Sequence, residues 1–460
     1  MDNSTAKSPF EIRNIRLFIA FRLFFNSRFY YPVFTILFLD FGLTLEQFAL
    51  LNAAWAAAIV ALEVPSGALA DTIGRRNLLV AAGTFMVVEI TLLCFVPQGN
   101  SSLLFTIFLI NRLLSGAAEA AASGADEALA YDALQEEGDV KDWPRVLEKQ
   151  MGAQAMAYIG AMSLGAAVYD PLFMRRIAHG LNWNVAFTQD ITLRLPLFLT
   201  LVMAILTLAT ALRMHEVGEA VKRGAAPNKR HHQTITRAFK LTLQAGGWIL
   251  RTPWALVIIL AGLVFDNCIR MIITLNSQYY RLIRLPEASF GLIGSGIAVL
   301  GLFVPRLARK MVRRYSPNFN LHVMAGLTIL GLVGMTFFLP LWGLIPVLLL
   351  FSVMYLGRFF QSHYLNQVTP SHQRATVLSF KGLSFNLAYG LIGLLYSFLL
   401  IRLRSQAASD YPALVGVELE NRVFMASLNW FPWYFLLTLA ALVLIARRQL
   451  QKSDVHKRPG

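Results

Sequence analysis

The sequence places ionisable and amide side chains inside long apolar runs. A charged group at membrane depth costs about 2.5–3.5 kcal/mol or more on insertion scales, so each such residue is a candidate for ligand binding or proton transfer. The candidates are Arg22, Arg28, Glu89, Arg112 and Glu119 in the first half of the chain and Asp266, Asn267, Arg270 and Arg358 in the second half.

The spacing of these residues suggests which of them pair. Asp266 and Arg270 are four residues apart, a separation at which two helical side chains meet. Because such a pair satisfies both charges without a ligand, a structural and a functional role stay equally open for it. Arg22 and Arg112 have no acidic residue one turn away, which favours a functional role for them. Arg112 and Glu119 are seven residues apart and share a helix face.

Proton coupling needs a carboxyl group that changes its protonation state. Glu89, Glu119 and Asp266 are the candidates, because burial favours the neutral acid and a nearby arginine favours the carboxylate. The sequence alone does not decide which effect prevails at each position.

The elements that hold these residues must be membrane helices. The chain has 460 residues, of which 56% are hydrophobic and 15% charged, and its mean hydropathy is +0.54. Soluble domains have roughly 45–50% apolar and 25% charged residues. The net charge of +15 is explained by basic loops at a membrane, so we expect no nucleic-acid partner. Two cysteines in apolar runs and histidines without ligand spacing predict no metal and no cofactor.

Apolar runs of about 17–25 residues predict twelve transmembrane helices, and hence an all-α membrane protein. The predicted spans are 16–39, 46–70, 77–97, 102–125, 150–170, 195–213, 254–280, 286–307, 320–340, 342–366, 376–400 and 424–446. Six spans fall in each half. We therefore predict a first six-helix bundle over residues 1–213, a linker over 214–253 and a second bundle with a basic tail over 254–460.

The linker and the loops predict how the chain lies at the membrane. Ile235, Phe239 and Leu243 recur at helical spacing opposite basic residues, which predicts an amphipathic helix on the membrane surface. Most Lys and Arg residues outside the spans fall on one side if both termini are cytoplasmic. The N-terminal segment lacks the pattern of a cleaved signal peptide, so we interpret it as a retained cytoplasmic tail. Short loops favour a bacterial inner membrane.

The stretch GALADTIGRR connects the second and third predicted spans. Gly67 allows a neighbouring helix to approach closely, and Gly74 can adopt the positive φ of a tight reversal. Asp71 can face the positive N-terminal end of a helix. The basic pair Arg75 and Arg76 fits the headgroup level.

This stretch resembles the helix 2–3 signature of the major facilitator superfamily, although Thr72 occupies a position that is usually basic. Arg112 with Gly116 is similar to the superfamily's helix 4 motif, and HQRATVLSF is similar to its sequences before helix 11. The fifth span lacks the Gly-Pro pair of many drug antiporters. In the second half GLFVPRLARK keeps only the basic anchor of the signature, as Arg309 and Lys310.

The resemblance implies the superfamily's fold, two bundles related by a pseudo-twofold axis, and a conformational latch. In the family, the Asp of the signature engages the end of helix 11 and its Arg pairs with an acid at the end of helix 4. The implied acids here are Asp126 and Glu127, with Asp132 as a further alternative. The predicted latch residues are Gly67, Asp71, Gly74, Arg75, Arg76, Asp126 and Glu127.

The resemblance also implies secondary active transport by alternating access, by a protein that is not an enzyme. The leading interpretation is proton-coupled efflux of small amphipathic molecules. Transport of an anionic metabolite is the alternative, favoured by the intramembrane arginines, and a non-transporting receptor or scramblase is a second alternative. The expected partners are a small-molecule substrate, the lipid bilayer and protons as the coupling ion, and we expect a monomer.

Overall fold

The computed structural model describes residues 8–98, 101–217, 240, 243–244, 246–370 and 373–455. Every regular element in these ranges is helical. The α-helices in chain order are α1 (Arg13–Asn26), α2 (Phe34–Asp40), α3 (Leu45–Ile73), α4 (Arg75–Cys94), α5 (Ser101–Ala122), α6 (Ala125–Glu137), α7 (Trp143–Tyr169), α8 (Pro171–Gly180), α9 (Gln189–Thr192), α10 (Leu195–Arg213), α11 (Pro253–Thr274), α12 (Asn276–Leu282), α13 (Phe290–Arg314), α14 (Pro317–Met335), α15 (Leu344–Val368), α16 (Arg374–Asp410), α17 (Val417–Leu428) and α18 (Phe431–Val455). Single 3-10 turns occupy Tyr31–Val33, Val140–Asp142 and Glu287–Ser289.

Within the described ranges, 11 helical segments are long and apolar enough to cross a membrane. The predicted first span, 16–39, is instead interrupted between α1 and α2. The chain leaves the helix after Asn26, and Pro32, which has no backbone N–H to donate, lies in the 3-10 turn before α2. The all-α membrane fold that the sequence predicts is confirmed, with its first span broken.

The first compact unit, called unit 1 below, comprises residues 1–43, 54–239 and 286–295. Its centre is α4, which packs against α5 and α10, while α1 packs against α7 and α10. Large and small apolar side chains alternate in this core, among them Phe21, Leu79, Met86, Ala118 and Ala204. Small residues let the helix backbones approach, and the large residues fill the remaining space.

The second compact unit, called unit 2 below, comprises residues 44–53, 240–285 and 296–460. Its centre is α11, which packs against α15, α16 and α18, and α14 packs against α15 and α18. Ile259 of α11, Leu365 of α15 and Val377 of α16 form part of its buried core.

Among the described residues, close helix approach occurs at Gly116, whereas the sequence predicts it at Gly67. A Cβ atom added to Gly116 would lie 2.7 Å from Cβ of Ala58 and 2.8 Å from the carbonyl oxygen of Trp55, so α5 contacts α3 directly there. A Cβ atom added to Gly67 meets no described atom within 4 Å. The close approach predicted at Gly67 therefore has no counterpart among the described residues.

The predicted amphipathic linker helix falls mostly outside the described residues. Ile235 and Phe239 lie in the part of the linker that the structure does not describe, whereas Leu243 is helical. Residues 246–251 form a further helical segment before α11.

An ion-pair network in unit 2 joins the start of α3 to α16 and α17. The helix α16 runs to Asp410, beyond the predicted end of its span, and carries Arg404 on its last turns. Arg404 Nε lies 2.8 Å from Oε1 of Glu46, and its Nη2 also bonds the Glu420 carboxylate. Residues that the sequence suggested as loop therefore belong to a helix with fixed partners.

Candidate functional site

Unit 1 contains a buried ion pair between two of the predicted candidates. Nη1 of Arg28 lies 2.6 Å from Oε1 of Glu89, and the two side chains are 3% and 0% exposed. Arg28 lies in the break between α1 and α2, and Glu89 lies on α4. The pair neutralises two charges in an interior where neither could persist alone.

Two neutral groups complete this network. The hydroxyl oxygen of Tyr30 accepts a hydrogen bond from Arg28 Nη1 at 3.3 Å. Nδ2 of Asn111 donates to Oε2 of Glu89 at 3.3 Å and to its backbone oxygen at 3.0 Å. Asn111, on α5, is missing from the sequence prediction. An amide inside an apolar run was the available signal, because a buried polar group needs partners.

Arg112 follows on α5 and lies among aromatic rings. Its side chain is 5% exposed, and its guanidinium carbon is 5.2 Å from the ring centroid of Phe34 and 5.5 Å from that of Trp55. These distances are in the range of cation–π contact, which stabilises a cation more strongly when it is desolvated. The arrangement combines a positive charge with flat apolar surface in one place.

Glu119 lies two turns beyond Arg112 on α5, and its side chain is exposed. Its carboxylate makes no ion pair or hydrogen bond with any residue in the described part of the chain, although Arg28 and Arg22 are close enough to act on it electrostatically. Arg112 and Glu119 share a helix face, as their spacing predicts, but they do not form a pair. The carboxylate differs from that of Glu89, which is held by fixed partners.

Arg22 has acidic partners, but they are on another helix. Nε of Arg22 is 2.5 Å from Oδ2 of Asp126, and its Nη2 is 2.6 Å from Oε1 of Glu127. Asp126 and Glu127 occupy the first turn of α6, and Asp126 is 2% exposed. The sequence has no acid one turn from Arg22, and this is why the pairing was not predicted. The partners come from a helix that is distant in the sequence.

The basic end of the GALADTIGRR stretch pairs with the third predicted acid. Arg75 forms an ion pair with Asp132, whereas Asp126 and Glu127 engage Arg22. The expectation that Asp126 or Glu127 holds the signature arginine is therefore wrong. Asp132 is six residues from Asp126, so it projects from a different face of α6.

Glu216 holds the first turn of α4 and was not predicted. Its Oε1 accepts from the backbone N–H of Arg75 at 3.0 Å, and its Oε2 accepts from that of Arg76 at 2.8 Å. A carboxylate at the N-terminus of a helix satisfies unpaired N–H groups and complements the helix dipole. The guanidinium of Arg76 donates to the carbonyl oxygen of Leu212 at 3.0 Å, at the end of α10.

Gly74 is the single residue between α3 and α4, and its φ is +91°, as the sequence predicts. A Cβ atom there would lie 2.7 Å from Oε2 of Glu216. The glycine therefore permits both the reversal and the approach of the carboxylate. Asp71 lies in the last turns of α3, but its side chain is outside the described part of the structure, so its predicted contact stays a prediction.

In unit 2, Asp266 and Arg270 form the pair that their spacing predicts, with 3.0 Å between Oδ2 and Nη2. Arg270 also donates to Oδ1 of Asn386 on α16 at 3.2 Å. Its guanidinium carbon lies 5.2 Å from the ring centroid of Tyr389. A carboxylate, an amide oxygen and an aromatic ring thus hold the guanidinium of Arg270 in place.

The remaining two candidates in unit 2 are not joined to this pair. The buried Oδ1 of Asn267 has no hydrogen-bond partner among the described residues. Arg358, on α15, has an exposed side chain and makes no ion pair or hydrogen bond with the described part of the chain. Asp266 and Arg358 both line a cavity of about 600 Å³ inside unit 2. No group of His, Cys, Asp and Glu side chains in the described ranges could hold a metal ion.

Solved structures of membrane transporters share this fold. The nucleoside transporter NupG has a TM-score of 0.64 at 15% identity, with 95% of this chain and 99% of that chain covered. A bacterial homologue of the human lysosomal transporter Spinster has a TM-score of 0.68 at 14% identity, with 96% and 98% covered. The xylose transporter XylE from E. coli has a TM-score of 0.58 at 13% identity, with 92% and 95% covered. At such identities the likeness shows the fold alone.

A sequence search of curated proteins found no match. A family model, in contrast, matches most of the chain, over residues 17–393. The matched range includes the break in the first span, the GALADTIGRR stretch and every charged candidate described above. The chain therefore belongs to the Major Facilitator Superfamily.

Proposed function

We propose that the chain is a secondary active transporter that exposes its substrate site to one side of the membrane at a time. Two bundles, residues 1–213 and 254–460, perform the movement, and the linker 214–253 connects them. Support comes from membership of the superfamily and from the broken first span, since discontinuous helices commonly form substrate sites in transporters.

Glu119 carries the proposal of proton coupling. Its carboxylate is exposed and has no ion-pair partner among the described residues, so it can gain or lose a proton without breaking a fixed contact. Glu89, by contrast, is held by Arg28 and Asn111 at hydrogen-bonding distance. We assign proton exchange to Glu119 and a positioning role to the buried pair.

We propose small amphipathic molecules as the substrates and efflux as the direction. Arg112 beside Phe34 and Trp55 offers aromatic surface together with a polar group, which suits a molecule with both characters. Carboxylates from the chain itself neutralise Arg22 and Arg28. This neutralisation weighs against an anionic substrate at these two arginines.

An anionic metabolite is the second candidate substrate. Arg358 favours it, because this exposed arginine has no carboxylate partner among the described residues. A non-transporting receptor or scramblase is the third reading, and a transport assay separates it from both.

We also propose a monomer in a bacterial inner membrane with both termini cytoplasmic. The distribution of Lys and Arg residues supports this orientation, since basic loops are retained on the cytoplasmic side. Labelling of single cysteines introduced at either end of the chain from one side of intact cells tests it.

Substrate-dependent proton movement in proteoliposomes is the experiment that tests the function. A pH gradient is imposed, a pH-sensitive dye reports its dissipation, and cationic amphiphiles and organic anions are added in separate runs. Wild-type protein is expected to dissipate the gradient only when a cationic amphiphile is present. Acceleration by organic anions alone would establish the second candidate instead.

The variant Glu119→Gln removes the proposed proton carrier while keeping the side-chain shape. It is expected to abolish substrate-driven proton flux but to leave equilibrium substrate exchange intact. Glu136→Gln is the matched control, because Glu136 is an exposed acid on α6 without a partner among the described residues. Full proton coupling in Glu119→Gln would overturn this assignment, and no flux of any compound in wild type would favour the non-transporting reading.

A further inference from the structure

The cavity in unit 2 is a separate feature from the buried network in unit 1. It measures about 600 Å³ and is lined by α11, α14, α15 and α18, with Phe385 of α16 also in its wall. Such a volume falls within the range of about 300–1,000 Å³ that is usual for small-molecule sites. Its wall is largely apolar, with Trp254, Phe265, Met324 and Phe360 among the contributing side chains.

Residues over several turns of α11 line the cavity. Trp254 lies in the first turn of this helix, and Asp266 lies three turns further along it. At a rise of 1.5 Å per residue this separation is about 18 Å. A largely apolar wall that extends over this distance suits a chain or a set of fused rings rather than a compact polar solute.

Two buried polar groups in the wall have atoms without partners. Gln361 is 8% exposed, and its Nε2 donates to no acceptor in the described part of the chain. Asn320 is 1% exposed; its Nδ2 donates to the hydroxyl of Tyr364 at 2.9 Å, while its Oδ1 is likewise unpaired. Unpaired buried polar atoms are costly, so a ligand that bonds to them gains free energy.

The charged side chains in and beside the cavity wall favour an anion. Asp266 is already paired with Arg270 at 3.0 Å, so its charge is compensated within the protein. Arg358 lines the same space and makes no ion pair with the described residues. Lys381 adds a second positive charge 5.8 Å from the ring of Phe385, which belongs to the wall.

We propose that this cavity binds one amphipathic organic anion. The apolar body lies among the aromatic and methionine side chains, and the carboxylate or phosphate faces Arg358 and accepts a hydrogen bond from Gln361 Nε2. The site lies entirely within unit 2. Its occupancy is an equilibrium property and needs no gradient, so it is tested independently of the proposed transport.

Two sources supply this chemistry. A fatty acid or lysophospholipid would enter from the bilayer, and a water-soluble aromatic sulfonate or carboxylate would enter from solution. Both carry an apolar body and one anionic group. The experiment therefore uses one probe from each source.

Binding is measured on the full chain in nanodiscs of a neutral lipid. The aqueous probe is 1-anilinonaphthalene-8-sulfonate, whose emission rises in apolar surroundings, and empty nanodiscs supply the background. Dodecyl phosphate is the bilayer probe and is added as a competitor, with dodecylamine as its cationic counterpart. We expect one saturable site per chain and displacement by dodecyl phosphate at roughly tenfold lower concentration than by dodecylamine.

A matched pair of glycine variants assigns the site. Gly357→Leu adds a side chain toward Met324, a wall residue whose Cε lies 3.1 Å from the added Cβ position. Gly326→Leu adds the same side chain on α14 at a position where a Cβ meets no described atom within 4 Å. We expect Gly357→Leu to weaken probe binding roughly tenfold or more and Gly326→Leu to leave it unchanged.

Two polar variants keep the test valid if Gly357→Leu fails to fold. Gln361→Leu removes the unpaired donor, and Arg358→Gln removes the positive charge. Each is expected to weaken the anion, and Arg358→Gln to abolish the preference over dodecylamine. If displacement of the fluorescent probe follows the mole fraction of dodecyl phosphate in the lipid, the ligand comes from the bilayer. If only aqueous anions displace the probe, the ligand is a soluble one. Equal binding in all variants, or no preference for the anion, would overturn the proposal.

Discussion

Arg28 and Glu89 are joined by an ion pair of 2.6 Å in the interior of unit 1, where their side chains are 3% and 0% exposed. One partner comes from the break in the first span and the other from α4. The pair therefore ties a non-helical segment to the centre of the unit. Both charges are kept from water, so each depends on the other for compensation.

Removing one partner should be worse than removing both. Glu89→Leu leaves the charge of Arg28 buried without compensation, and it is expected to lower the free energy of unfolding by about 3–5 kcal/mol. The double variant Arg28→Leu with Glu89→Leu is expected to recover most of this loss. Unfolding in detergent, followed by helical circular dichroism, measures both. A double variant less stable than Glu89→Leu alone would contradict the argument.

The reversal between α3 and α4 should tolerate no side chain. Gly74 has φ +91° and ψ 148°, a region that is essentially restricted to glycine. Gly74→Ala is expected to cost about 1–3 kcal/mol of stability through backbone strain. Gly67→Ala is the control, because a Cβ atom there meets no described atom within 4 Å and alanine raises helix propensity. The same unfolding measurement compares them, and equal stability of the two variants would exclude strain at Gly74.

Charge exchange should identify the latch. Asp132→Arg places two positive charges together and is expected to reduce transport strongly, and adding Arg75→Asp should restore a substantial part of it. Initial rates of substrate uptake into proteoliposomes provide the measurement. Asp126→Asn serves as the comparison, since Asp126 binds Arg22 and its loss cannot be rescued by a change at Arg75. If the reversed pair is no more active than Asp132→Arg, the contact has no role in the cycle.

The network at the start of α3 should stabilise unit 2. Arg404 contacts both Glu46 and Glu420, and its side chain is 24% exposed. Arg404→Gln is expected to cost about 1 kcal/mol, the upper end for a partly exposed ion pair. Arg402→Gln changes a neighbouring exposed arginine that has no ion-pair partner in the described ranges. Equal melting temperatures of both variants would show that the network adds nothing to stability.

Local sequence patterns were sufficient wherever the partners are close in the chain. Apolar run length predicted the all-α membrane fold, and a spacing of four residues predicted the contact of Asp266 with Arg270. The positive φ of Gly74 followed from its place between two spans. In each case the determining physics acts within one or two helical turns.

Contacts across helices could not be predicted in the same way. Arg22 appeared unpaired because its acidic partners are about a hundred residues away in the sequence. Glu216 was likewise missed, because it is distant in the sequence from the start of α4, which it binds. The partner of Arg75 is Asp132, which lies on a different face of α6 from Asp126. Such choices depend on how helices rotate against each other, which a single sequence does not encode locally.

Arg112 connects the proposed substrate to a measurable change in stability. A ligand at 100 times its dissociation constant stabilises the folded protein by about 2.7 kcal/mol, provided it does not bind the unfolded chain. Cationic amphiphiles and organic anions are therefore screened for an increase in melting temperature in detergent, with wild type and Arg112→Ala in parallel. We expect the amphiphiles that raise the melting temperature of the wild type to lose this effect in Arg112→Ala, because the variant removes the guanidinium that contacts Phe34 and Trp55. Arg402→Ala, at an exposed position, should shift like the wild type. Equal shifts in all three proteins would return Arg112 to a purely structural role while leaving the substrate class established.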